Sequence, residues 1–183
     1  MRVVDLSSHD VDDVVGLFAD DGGYSCRVAG RPATRQDAVD ALTARPPGTD
    51  PAAKTVLGAY DDAGVLVGLL DVIRGWPEAD HAHVGLLQTA AGRHRQGLGR
   101  ALHAALERRA ERWPEVTTLR LAVVDANREV AEPFWRALGY APTGGATPFA
   151  AGSVESPARV WTRPVTRRGT AGPGGVVGPS LGA

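Results

Sequence analysis

One cysteine, Cys26, stands alone in a chain of 183 residues. An intrachain disulfide needs two, so none is expected, and a lone thiol suits a reducing, cytoplasmic setting. No group of Cys and His has metal-ligand spacing, so no metal is expected either. Long apolar runs are missing too. Those present fall well short of the roughly 20 residues that span a bilayer. The opening Met1-Arg2-Val3-Val4-Asp5 lacks a signal-peptide pattern. Excess charge of one sign is also absent. Lys plus Arg number 20 against 21 for Asp plus Glu, a formal charge of -1, which excludes the broad cationic footprint of a nucleic-acid binder. What survives is one local basic patch, Arg93 to Arg100.

What is there is a globular composition, 43% apolar and 22% charged, at a length that suits one domain. Residues 1–165 read as that domain. From Thr166 the composition shifts to Gly, Pro and small residues, and 166–183 reads as a disordered tail that buries too little to offset its ordering entropy.

The elements follow from periodicity. Val3 to Leu6 is a short strand. Ser8 caps a helix carrying Val11, Val14, Val15 and Phe18, and Asp20 to Gly23 ends it. Thr34, with Asp37 three residues on, caps a second helix that Pro46-Pro47-Gly48 stops. Lys54–Tyr60, Val65–Ile73 and His81–Thr89 form a meander, turned at Asp61–Gly64 and at Gly75–Glu78. On the last of these strands His81, His83, Gly85 and Leu87 alternate onto one face. The period then changes. Leu98, Leu102, Ala105, Leu106, Arg109 and Trp113 lie on one helix face, closed by Pro114. Thr118–Val124 reads as a strand covered on both sides. Asn127 opens a helix with Val130, Ala131, Phe134 and Leu138 on one side and Gly139 at its left-handed end. Val160–Pro164 is a last strand, with a further short one near Tyr140. The expected class is therefore α/β, a central mixed sheet flanked by helices.

The most informative stretch is Arg93-His94-Arg95-Gln96-Gly97-Leu98-Gly99-Arg100, between a strand and an amphipathic helix. Glycines at 97 and 99 let backbone approach an anion closely, and the free N–H groups of the first helical turn point at it. Neither a dinucleotide G-x-G-x-x-G after a first strand nor a GxxxxGK[ST] loop is present.

With this loop the sequence resembles the GNAT superfamily of N-acetyltransferases, whose pattern is R/Q-x-x-G-x-G/A at the start of the central helix. Both glycines match; His94 stands at the first position. Gly85–Thr89, Leu119–Val124, and Asn127 with Phe134-Trp135-Arg136-Ala137-Leu138-Gly139-Tyr140 resemble the family's neighbouring blocks. The resemblance implies acetyl-CoA as co-substrate. The fourth and fifth strands would splay apart, with pantetheine bonded to the backbone of Leu87, Gln88 and Thr89. Pyrophosphate would lie over the amides of Arg95, Gln96, Gly97, Leu98, Gly99 and Arg100. Arg93 or Arg100 would reach the 3′-phosphate. Asn127 would meet the pantetheine arm, or else serve as a helix cap. Phe134 would pack near the cofactor, or else serve as plain core. A symmetric homodimer is expected on the same ground.

An amine must be neutral to attack a thioester, and some group must take its proton. In histone-type relatives a fourth-strand glutamate does so. Counted back from Gly97, that position here is His83, with Glu78, Asp80 and Asp71 as competing acids. The family's usual thiolate acid is the tyrosine of an aromatic pair, which here is Phe134-Trp135. Water, Tyr24, Tyr60 or Tyr140 remain as substitutes. Pro133 inside the following helix implies a kink or a late start. The leading reading is transfer of an acetyl group from acetyl-CoA to a primary amine of a small molecule or peptide by direct attack. A catalytically inactive acetyl-CoA sensor of the same fold is the alternative. An interaction domain that binds no CoA is a third.

Overall fold

The computed structural model describes residues 1–167. Strand β1 (Arg2–Asp5) leads into a 3-10 turn and helix α1 (Val11–Ala19). Ser8 does not cap the helix: Ser7 caps the 3-10 turn, and α1 follows from Asp10 with no side-chain cap bond of its own. The Ser7 hydroxyl accepts from the His9 amide while the Asp10 carboxylate receives the Ser7 amide. The 3-10 turn supplies the one-residue offset. Helix α2 (Tyr24–Ala29) has no counterpart in the sequence reading. Glycines with positive φ bound it on both sides, and six residues are too few to show a helical period. Helix α3 (Arg35–Thr43) carries the expected Thr34–Asp37 capping box.

Strands β2 (Lys54–Tyr60), β3 (Leu66–Arg74), β4 (His81–Thr89) and β5 (Thr118–Val124) fall where the alternation places them. Helix α4 (Leu98–Ala110) stops short of Trp113. Helix α5 (Arg128–Ala137) runs through Pro133 without a break in its span. Its sheet-facing side is Ala131, Phe134, Trp135 and Leu138. Val130, expected on that side, is 60% exposed, because it sits one position off the i, i+3, i+4 stripe.

The C-terminal strands are longer than the pattern suggests: β6 (Ala141–Ala151) and β7 (Val154–Pro164) form a hairpin of eleven residues a side. The register skips between Pro142 and Ala146. Two prolines, two adjacent glycines and an exposed edge erase the alternation that would have revealed β6. The expected tail 166–183 lies outside the described residues apart from Thr166 and Arg167. Arg167 is docked: its guanidinium donates to the carbonyls of Trp113, Pro114 and Val116.

The seven strands form one sheet in the order β1-β2-β3-β4-β5-β7-β6. Every neighbouring pair is antiparallel except β4 and β5, which α4 joins as a crossover. Each face has its own core. One side packs Leu102 and Leu106 of α4 and Trp135 of α5 against Leu70, Val72, Ala82, Val84, Leu119 and Leu121. The other packs Val14 and Leu17 of α1 and Ala38 and Leu42 of α3 against Val56, Val67 and Leu69. The central strands are covered on both sides, which explains the nearly continuous apolar run of β3.

One polar pair lies inside the first core. His103 Nε2 is 3.0 Å from the Tyr140 hydroxyl, and its other nitrogen is 3.5 Å from Glu107. Burial, with the nearby Arg163 adding to it, pushes the His103 pKa down to about 4 against the pull of Glu107. Histidine in the unfolded chain titrates near 6.5. The unfolded state therefore binds the extra proton first, and the stability held above pH 6.5 drains as pH falls toward 4. The loss attached to this residue at pH 5 is about 2 kcal/mol. Denaturant melts at pH 7.5 and pH 5 should show a steeper acid loss for the parent than for His103→Gln.

Candidate active site

The site begins where β4 leaves β5. The two strands pair only from His81–Thr118 to Val84–Leu121, whereas β4 stays paired with β3 to Thr89. The β3 register steps from Val72–Val84 to Asp71–Leu86, leaving Gly85 as an extra residue. That bulge bends β4 away from its neighbour and frees its backbone edge beyond Val84. It also re-sorts the side chains. Leu86 joins the core under α1 and α3, and Leu87 packs under α4. Leu87 therefore does not follow His81 and His83 on one face, because an inserted residue breaks the two-residue period.

The gap opens into a cleft of about 1030 Å³. Leu87, Gln88 and Thr89 form one wall, Leu121 to Val124 the other, and Asn127 and Phe134 the α5 side. His94, Arg95, Gly97, Leu98, Gly99 and Arg100 line its far end; Gln96 does not. At this end Arg95 has φ 63 and Gly97 φ 82. Alternation of this kind turns successive amides toward one point, an anion nest. Helix α4 has no side-chain cap, and the first helical donor used is Ala101 N–H, bonded to Gly97 O. The amides of Leu98, Gly99 and Arg100 thus face out at the positive end of the helix. Gly99 allows the close approach of Phe134, whose ring would lie 3.0 Å from a β-carbon there. Arg93 is committed to Asp61 at 2.8 Å, while Arg95 and Arg100 form no ion pair among the described residues.

The other side of Gly85 opens into a smaller cavity of about 250 Å³. Phe18, Val28, Ala41 and Leu86 supply its apolar wall, with Asp21, Asp37 and Asp40 around it. Asp37 is held by both nitrogens of the Arg31 fork, which keeps its carboxyl far below the usual range. Asp21 takes the amides of Gly23 and Ser25. Cavity and cleft share Asp21, Tyr24, Val28, Gly85, Leu86 and Gln88.

Helix α2 is the element that sequence reading missed, and it walls both spaces. Arg27 Nε donates to Asn127 Oδ1 at 3.0 Å, and a second Arg27 nitrogen donates to Gly22 O. The preceding loop is tied to the anion loop. Asp20 accepts the amides of Ala91 and Gly92, and Asp21 O accepts from Gln88 Nε2. Asn127 occupies the N-cap position of α5 but makes no cap bond; Arg27 holds its side chain instead. The one readable signal for α2 was Tyr24. Tyr60 is bonded to Asp13 and Tyr140 to His103, which leaves Tyr24 as the tyrosine that lines the cleft.

The structure does not bring His83, Glu78 and Asp80 into either wall. Arg120 Nη1 donates to His83 Nδ1 at 2.8 Å, so the ring proton sits on Nε2 and the basic lone pair is taken. Burial, then the charges of Arg120 and His81, lower the His83 pKa to about 3. Trp76 closes over the ring at 4.7 Å. Asp80 latches the start of β5, accepting from the Thr117 hydroxyl and from the amides of Thr117 and Thr118. Glu78 is exposed and uses its carbonyl for the His81 amide.

Comparison with known proteins agrees with this geometry. A family model described as the acetyltransferase (GNAT) family matches residues 25–140. An acetyltransferase structure from Thermus thermophilus superposes with a TM-score of 0.67 at 24% identity, covering 89% of this chain and 96% of that one. A GCN5-related N-acetyltransferase from Kribbella flavida gives 0.62 at 24%, covering 89% and 96%. The ribosomal-protein-S18-alanine N-acetyltransferase of Escherichia coli gives 0.63 at 16%, covering 93% and 97%. No curated protein matches the sequence. Among the described residues, no helix is long and apolar enough to cross a membrane, and no group of three His, Cys, Asp or Glu is placed to hold a metal.

The Arg27–Asn127 bond should govern how firmly α2 closes the cleft. Losing one bond of about 1 kcal/mol raises local opening about fivefold. Amide exchange over Tyr24–Ala29 in Arg27→Ala should quicken by that factor, with the global melt nearly unchanged.

Proposed function

The chain belongs to the GNAT acetyltransferase family, and from that premise we propose that it transfers an acetyl group from acetyl-CoA to a primary amine of a small molecule or peptide. The observation that carries the reading is the parting of β4 from β5 after Val84. It leaves an unpaired strand edge in a cleft that ends on an uncapped helix. Pantetheine is an amide-bearing chain and adds to such an edge as a strand would, at Leu87 to Thr89. The amides of Arg95 to Arg100 suit the pyrophosphate. Arg95 and Arg100, which form no ion pair among the described residues, can meet a further phosphate.

The amine enters from the smaller cavity, which meets the cleft at Gly85 and Leu86. Its volume suits a compact amine or the end of a peptide better than a large oligosaccharide. Its carboxylates favour an ammonium, and its apolar wall favours a hydrocarbon stem. The missing tyrosine of the aromatic pair does not argue for an inert sensor, because Tyr24 reaches the same cleft from α2. Burial raises the Tyr24 pKa above its ordinary value, so the phenol stays protonated and donates a hydrogen bond where sulfur departs.

Calorimetry with acetyl-CoA, run beside thiol release with an amine panel, tests the proposal. Saturable binding with thiol release is expected. Binding without release for every amine would move the chain to the sensor reading, and no binding would remove both. Gly97→Val should weaken acetyl-CoA binding tenfold or more, about 1.4 kcal/mol. The β-branched side chain must adopt φ +82, which costs about 1–2 kcal/mol and closes the nest. Unchanged affinity in a folded variant would place the phosphates elsewhere.

A further inference from the structure

Lys54 is the one lysine among 183 residues, and it is buried. Its ammonium donates to Asp71 Oδ1 at 2.7 Å, and the two side chains are 7% and 11% exposed. A buried ion pair is a poor stability device, since desolvating both charges offsets most of their attraction. This one has a second peculiarity. Asp71 Oδ2 accepts no hydrogen bond among the described residues. That oxygen points at the bulge, where a β-carbon on Gly85 would lie 2.7 Å from it. Asp71 is the residue of β3 opposite the bulge, so its carboxylate and the α-carbon of Gly85 share one side of the sheet. Gly85 in turn lines both the cleft and the smaller cavity. Asp71 itself lines neither space, but with no side chain at 85 only the Gly85 backbone stands between its second oxygen and their junction.

The other candidate bases near that junction are already engaged. Both oxygens of Asp21 hold amides, and Asp37 is clamped by Arg31. The lone pair of His83 is held by Arg120. Asp40 accepts from Gln36. We propose that Asp71 is the general base of the transfer, reached across Gly85 directly or through one water, with Lys54 as its positioning residue. The inference rests on the acetyltransferase reading above.

In the step so assigned, the substrate ammonium gives one proton to Asp71 Oδ2, and the freed nitrogen lone pair attacks the thioester carbon. The C–N bond forms and the C–S bond breaks. One of the two protons left on nitrogen passes to the departing sulfur and the other stays as the amide N–H, leaving amide and thiol, and Asp71 releases its proton to solvent. Burial raises the Asp71 pKa from its ordinary value, with Lys54, the one charged group bearing on it, opposing the rise. That is the direction a proton acceptor needs.

Thiol release is followed from pH 5.5 to 9 with spermidine, tyramine and an amino-acid amide as probe amines. Asp71→Asn keeps shape and removes the proton acceptor. It should lower turnover about 10²- to 10⁴-fold and abolish the acidic limb of kcat/KM. Calorimetric affinity for acetyl-CoA should stay within about twofold, roughly 0.4 kcal/mol. If the unpaired Lys54 unfolds that variant, Asp71→Asn with Lys54→Met removes both charges and should show the same loss. Equal turnover, or a uniform loss that keeps the acidic limb, overturns the role of Asp71 and leaves the transferase reading standing. A parent protein that binds acetyl-CoA but releases thiol with none of the probes overturns the transferase reading, and the base with it.

Discussion

β4 cannot pair on both edges along its whole length once Gly85 is inserted. Four register pairs hold it to β5, and then the strands part. Almost everything that makes this sheet a site follows from that one residue. Parting leaves backbone donors and acceptors of Leu87 to Thr89 without a strand, and unpaired groups in a cleft seek a partner that presents amides. Parting also sets the direction of the cleft, which runs from the bulge to the start of α4. There the chain meets a second unsatisfied set, the outward amides of an uncapped helix. The two vacancies are complementary to the two ends of one long, phosphorylated, amide-bearing molecule.

The same bulge decides which side chains face the smaller cavity. By placing Gly85 opposite Asp71, it leaves no side chain between that buried carboxylate and the point where the two spaces meet. Elsewhere the charged groups are engaged locally: Asp37 by Arg31, Asp61 by Arg93, and the Arg120 guanidinium by the neutral His83 ring. Their electrostatic work is structural, since a clamped carboxylate is a weaker base and a buried imidazole facing a guanidinium stays neutral. Proximity to the reaction centre and availability for it are different properties here, and hydrogen-bond occupancy separates them.

Much of this was legible in the sequence. The meander, α4, β5 and the glycine loop carry strong periods or turn residues, and the four central strands fall nearly where alternation puts them. The rest was hidden for identifiable reasons. Helix α2 is one and a half turns long and starts after two glycines, so no period develops. β6 carries two prolines and an exposed face, so no alternation develops. Position 83 was found by counting along the strand, but counting cannot reveal that Arg120, on the next strand, takes its lone pair. Asp71 could be named as an acid, yet its value depends on a register shift between β3 and β4, and register is a property of pairing.

Helix α2 ties the cleft to the smaller cavity. Tyr24 and Val28 wall both spaces, the loop before the helix is bonded to Gln88 and to the start of the anion loop, and Arg27 reaches across to Asn127. A ligand that orders the anion loop therefore also bears on Asp20 and Asp21, and Asp21 lines the smaller cavity. Ordering that is supplied by the first ligand need not be supplied by the second, which is positive coupling without any large change of shape. The Arg27–Asn127 bond adds a condition, because Asn127 Oδ1 is spoken for while α2 is closed. A molecule lying along β5 must either share that oxygen or displace the guanidinium. Either way the energy of binding in the cleft passes through the helix that also walls the smaller cavity.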